Sequence, residues 1–167
     1  MPIAKSSGHS RRLPPLLGAM SMGVDSGQPS RVVTAYLDDI EAELAAFDAL
    51  VAIGSRFAAF HLEQAAEKLI RAVRIHRKLV VTSTHDIVLL VDGHPGDPLK
   101  EPRPLPAGDP WRARMREHEW LSKFATAFRY PTSAGRRDQG PIDDELKKAK
   151  QKLVEHLMLA RKELIDK

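Results

Sequence analysis

A chain of 167 residues with 43% hydrophobic side chains is long enough for one domain with a buried core, which excludes wholesale disorder. It contains no cysteine, so disulfides, thiolate metal sites and a cysteine nucleophile are excluded, and the composition fits a reducing, cytoplasmic setting. The net charge of +4 is modest, and no apolar run reaches the length of a bilayer span, so no membrane partner is expected.

Residues 1–30 place Lys5, Arg11 and Arg12 before LPPLLGAM, in a segment otherwise rich in Ser, Gly and Pro. Two prolines break the short apolar run, which predicts a disordered tail and no signal peptide. Ser30 is a good N-cap. Beyond it, Val33, Leu37, Ile40, Leu44, Phe47 and Val51 recur at spacings of four and three, the stripe of an amphipathic helix. Gly54 and Ser55 break it. A second helix follows over residues 55–77, with Ala58, Leu62, Ala65, Leu69 and Val73 as its stripe, so the two form an antiparallel hairpin.

Residues 79–92, LVVTSTHDIVLLVD, carry two readings. Propensity favours strands at 79–82 and 87–91. Ser83 with Asp86 three residues on also fits a capping pattern before a short helix. Residues 93–109 hold Pro95, Pro98, Pro102, Pro104 and Pro106, which excludes helix and favours extended backbone. A structureless stretch of this length reads as an insertion loop, functional or disordered, and its prolines could also dock a partner. Asp109 then caps and Pro110 takes the first position of a third long helix, predicted over 110–130 with Met115, Leu121, Phe124 and Phe128 on its core face. Pro131 ends it, and a loop with Arg136 and Arg137 follows. Pro141 opens the last helix, whose stripe is Ile142, Leu146, Ala149, Leu153, Leu157, Ala160 and Leu164. The expected architecture is all-α: an antiparallel four- to five-helix bundle over residues 31–167, with the Pro-rich loop at 93–109.

Charge is unevenly divided. Residues 31–54 carry one positive and five negative charges, and residues 55–78 carry six positive and two negative. Acidic and basic helices of a hairpin can pair with each other, so the asymmetry alone does not require a nucleic-acid partner. Gln64, Glu67 and Lys68 lie within one turn of each other and could hold a phosphate, a base edge or a partner helix. A solvated helix face is the simpler reading. Arg71, Arg74 and Lys78 form a basic stripe, suited either to an RNA backbone or to stabilising a helix C-terminus. His85 with Asp86 could act as a general base or a metal pair, but the spacing matches no established ligand pattern. No HExxH, phosphate-cradling glycine loop or Gly-x-Ser-x-Gly elbow occurs. Gly54-Ser55 lacks the nearby aspartate pair of a nucleotidyltransferase centre.

Three fragments in order carry a family resemblance over about residues 35–164. They are Ala59-Phe60 leading into Gln64-Ala65-Ala66-Glu67-Lys68, then Thr84-His85-Asp86-Ile87, then Arg129-Tyr130-Pro131 before the final helix. Together they resemble the HEPN domain, the all-α "higher eukaryote and prokaryote nucleotide-binding" family. The resemblance implies a short helix at 83–91. It implies one of two functional groups. The first is metal-independent endoribonucleases, often toxins, which join two sites across a homodimer. Each site carries an Arg followed after four to six residues by a His. The arginine would steady phosphate charge, and the histidine would move a proton as the ribose 2′-hydroxyl attacks. The second group partners separately encoded nucleotidyltransferases in toxin–antitoxin-like pairs and helps to bind nucleotide.

The chain departs from the ribonuclease pattern. Arg129 is the arginine to align, but positions 134–136 are Ala, Gly and Arg, and the next histidine is His156. The spacing does occur at Arg56/His61, Arg71/His76 and Arg112/His118, where chance supplies roughly two such pairs. The leading expectation is therefore a non-catalytic HEPN protein, a homodimer that binds nucleotide or RNA or acts with a nucleotidyltransferase. Its phosphate-binding residues would be Gln64, Lys68, His85, Arg129 and Tyr130, with no metal and no cofactor. The alternatives are a HEPN endoribonuclease, with Arg129 and His118 as catalytic candidates, and a structural helical interaction protein.

Overall fold

A computed structural model describes residues 30–127 and 143–165. The expectations for the N-terminal tail, for Phe128, Arg129, Tyr130 and Pro131, for the loop with Arg136 and Arg137, and for Pro141 and Ile142 lie outside the described residues. Every described element is helical, in the order α1 (Arg31–Ala52), α2 (Ala58–His76), α3 (Ile87–Asp92), α4 (Pro110–Arg116), a 3-10 segment (Glu119–Lys123), α5 (Phe124–Ala127) and α6 (Asp143–Leu164). No helix among the described residues is long and apolar enough to cross a membrane.

The predicted stripes are the core. Val33, Leu37, Ile40, Leu44 and Phe47 of α1 are buried, as are Ala58, Leu62, Ala65, Leu69 and Val73 of α2 and Leu146, Leu153, Leu157, Ala160 and Leu164 of α6. Helix α1 follows Ser30, which holds the N-cap position without a side-chain cap bond. Ion pairs fix the directions. His61 meets Glu43 and Lys68 meets Asp39, so α1 and α2 run antiparallel, and Lys150–Asp48 with Arg161–Asp38 sets α6 antiparallel to α1. The short elements α3, α4, the 3-10 segment and α5 pack on α2.

Residues 79–86 form no strand, contrary to their propensity. An extended segment needs partners for alternate carbonyls, and here α2 supplies them from side chains. Arg74 donates to Val80 O, and Arg71 donates to Thr82 O and Thr84 O, each within 3.0 Å. Residues 87–92 then form the short helix that the family resemblance implied. Its N-cap is Asp86, whose Oδ1 accepts from Val88 N and Leu89 N; the Ser83 cap is corrected by one turn.

The loop at 93–109 is tied down. Leu105 is buried and its N–H donates to Val91 O, while Arg103 O accepts from Arg74. Gly93 allows this close approach. Its φ is +71°, and a Cβ there would lie 2.8 Å from Pro104 Cδ.

The third long helix, predicted over 110–130, is corrected to three pieces. Asp109 caps α4 and Pro110 sits at its start, as expected. From Met115 onwards the inward residues are Met115, His118, Leu121 and Phe124, all buried and spaced by three. A strict period of three suits a 3-10 segment, whose side chains at i and i+3 eclipse, and not an α-helix of 3.6 residues per turn.

Candidate functional site

Helix α2 presents the sequence-predicted residues in two tracks. On the α1 side, Lys68 Nζ lies 2.8 Å from Glu43 and 3.3 Å from Asp39. His61 Nδ1 sits 2.7 Å from the other oxygen of Glu43. Burial alone would raise the Glu43 pKa, but the bonds to Lys68 and His61 outweigh it and hold the carboxyl below its ordinary value. Burial would likewise lower Lys68, yet its carboxylate partners raise it. Gln64 lies between the tracks and donates to Glu63 at 2.6 Å.

On the α3 side, Glu67 is buried and bridges two partners. One oxygen accepts from Arg71 Nε at 2.7 Å, and the other is 2.8 Å from His85 Nδ1. The His85 side chain is 52% exposed. Glu67 therefore fixes the ring, and Nε2 is the nitrogen left over. Asp86, paired with His85 in the sequence reading, caps α3 instead. Arg74 is fully buried and spends its guanidinium on the carbonyls of Val80, Leu90 and Arg103. Burial pulls its pKa down. Of the basic stripe that sequence left open to RNA or to a helix C-terminus, Arg71 and Arg74 instead hold backbone carbonyls between residues 80 and 103.

The catalytic candidate His118 is 0% exposed. Its Nε2 is 3.0 Å from His156 Nδ1, and the rings meet edge to face. Burial, then the neighbouring His156 and Lys152, pull the His118 pKa down to about 4. His156 is lowered in the same direction, first by burial. His118 Nδ1 has no hydrogen-bond partner among the described residues. Arg129 and Tyr130 lie outside the described residues. The other Arg–His spacings lead to separate partners: His61 holds Glu43, Arg71 holds Glu67, and Arg112 holds Asp92 at 2.7 Å.

Sequence reasoning missed a cleft of about 550 Å³ between the 3-10 segment and α6. His118 and Ala149 form part of its lining, with Trp120, Lys123, Lys148, Lys152, Glu117 and Glu145 around them. Lys123 Nζ lies 5.6 Å from the centre of the Trp120 ring. Among the described residues neither Lys123 nor Lys148 forms an ion pair, while Lys152 is 3.4 Å from Glu155 and 3.9 Å from Glu117. The available signals were Trp120 and Lys123 one turn apart and Lys148 and Lys152 at i and i+4. No group of three or more potential metal ligands occurs among the described residues.

The family model of the HEPN domain matches residues 45–157, more than half of the chain. The match takes in the last third of α1, all of α2 through α5 and two-thirds of α6. No curated protein matched the chain, and no solved structure did.

Proposed function

The chain belongs to the HEPN domain family, and from that premise we propose that it is a non-catalytic member that binds a nucleotide. In this reading it acts as a homodimer beside a separately encoded nucleotidyltransferase. The observation that carries the absence of catalysis is the state of His118, closed to solvent and locked on His156. A histidine that shuttles a proton during RNA cleavage must reach the ribose and titrate near neutrality. His118 does neither, because burial holds it neutral down to about pH 4.

Nucleotide binding draws its support from the cleft, where an aromatic ring stands beside Lys123 and Lys148, which pair with no carboxylate among the described residues. Of the residues first assigned to phosphate, Gln64 and Lys68 lie on α2 and His85 beside it, and Lys68 already faces Glu43 and Asp39. Lys68 and His85 serve the reading better as ties between α1, α2 and the 79–86 segment. Arg129 and Tyr130 stay with the proposal as phosphate-binding residues, and Arg129→Ala should weaken nucleotide binding with helicity intact.

The test pairs two assays. Purified protein with RNA in a chelator should yield no cleavage, and calorimetric titration with ribonucleotides should yield heat. Metal-free cleavage would sink the non-catalytic reading. An endoribonuclease remains the second reading because of one observation, the half-exposed His85 oriented by Glu67 as a general base would be. Cleavage abolished by His85→Ala would establish it. Sedimentation at twice the 18.6 kDa chain mass is expected for the homodimer.

A further inference from the structure

The chain's cations divide sharply by what they already hold. Lys68, Arg71, Arg74, Arg77 and Arg112 each bond a carboxylate or a backbone carbonyl. Among the described residues Lys123 and Lys148 do not, and both line the cleft beside α6. Two ammonium groups without a carboxylate partner among the described residues, one of them stacked on Trp120 and Phe124, and a part-buried indole meet at one concave site. That combination offers a charge for an anion and a flat surface for a ring.

We propose that this cleft is the nucleotide site, and that its ligand is a single nucleoside phosphate. The phosphate sits at Lys123 and Lys148, and the base lies against Trp120.

Size and charge favour a mononucleotide over a polynucleotide. A volume of about 550 Å³ is that of a small-molecule site. Glu117 and Glu145 share the lining, and Glu155 and Glu119 stand close in sequence. A longer RNA backbone would bring further phosphates against these carboxylates, whereas a single phosphate places one group beside Lys123 and Lys148.

This inference rests on the nucleotide-binding reading, and the experiment separates the two. The full chain is titrated with the four ribonucleoside monophosphates, with inorganic phosphate and with a short single-stranded RNA, followed by calorimetry and tryptophan emission. At least one monophosphate should bind and quench emission. Trp120→Phe should remove the quench, because the other tryptophan, Trp111, is fully buried. Lys148→Glu should weaken binding about tenfold or more, since it replaces a charge-assisted bond with a like charge. Lys148 is exposed, so its variants keep the fold, and unchanged circular dichroism verifies this. Affinity and quench unchanged in both variants overturn this site and leave the nucleotide-binding reading standing. Failure of every ribonucleotide to bind the wild-type protein overturns both. Inorganic phosphate binding as tightly as the nucleotides overturns the role of Trp120, and tighter binding of the RNA overturns the choice of a mononucleotide.

Discussion

Helix α2 carries Lys68, Arg71 and Arg74, and the cleft beside α6 carries Lys123, Lys148 and Lys152. Lys148 and Lys152 resemble the α2 set in sequence, cations at helical spacing, and Lys123 joins them from the 3-10 segment. In α2 the charges are used inside the fold: Lys68 ties α1 to α2, and Arg71 and Arg74 replace the neighbouring strand that residues 79–86 lack. In the cleft two of the three lysines form no ion pair among the described residues. A basic stripe therefore indicates a ligand only when its charges are unspent, and spacing alone does not report that.

The comparison can be broken most forcefully at Arg74. Arg74→Met keeps much of the side-chain volume but strands the carbonyls of Val80, Leu90 and Arg103. Leaving buried acceptors unbonded should cost on the order of 3–5 kcal/mol in chemical denaturation. A loss under about 1 kcal/mol would mean that α2's arginines are not structural.

Acid should separate the two regions next. His118 titrates near 6.5 in the unfolded chain and about 4 when folded. Its contribution is present above pH 6.5 and is lost as pH falls towards 4, because the unfolded chain takes up the proton first. The loss approaches roughly 3 kcal/mol. His156, lowered too, adds in the same direction. On the α1–α2 side, Glu43 is held below 4.5, so its contribution is complete above that value and disappears only at lower pH. His118→Leu should flatten the stability profile between pH 6.5 and 4 and leave the lower limb unchanged. A profile equally steep in the variant would refute the assignment to the buried pair.

The smallest effect is expected at Lys68. It is partly exposed and one of its partners, Asp39, is largely so, and Lys68→Ala should cost about 1 kcal/mol or less in thermal denaturation.

Much of this fold was legible before the structure. The stripes of α1, α2 and α6 follow from 3.6-residue spacing, and their described members lie in the core or, for Val51, against it. Asp109 and Pro110 were legible as a helix start because capping is local chemistry. Arg74 was not legible as core, because a charged residue is buried only when distant carbonyls come to it. A signal existed all the same: Arg74 shares a face with Ile70 and Val73, both buried. His118 hid in the same way. Its membership of the series Met115, His118, Leu121, Phe124 is visible once a period of three is considered, and a search for 3.6 passes over it. The cleft was the least legible, since it joins residues 117–123 to residues 145–152 and depends on how α6 returns across the bundle.

The most direct test sets Lys68→Ala beside Lys148→Ala in one calorimetric titration with a ribonucleoside monophosphate. The account predicts that Lys148→Ala weakens binding about five- to tenfold while Lys68→Ala stays within about twofold of the wild type. The reverse order, with Lys68 decisive and Lys148 silent, would contradict it.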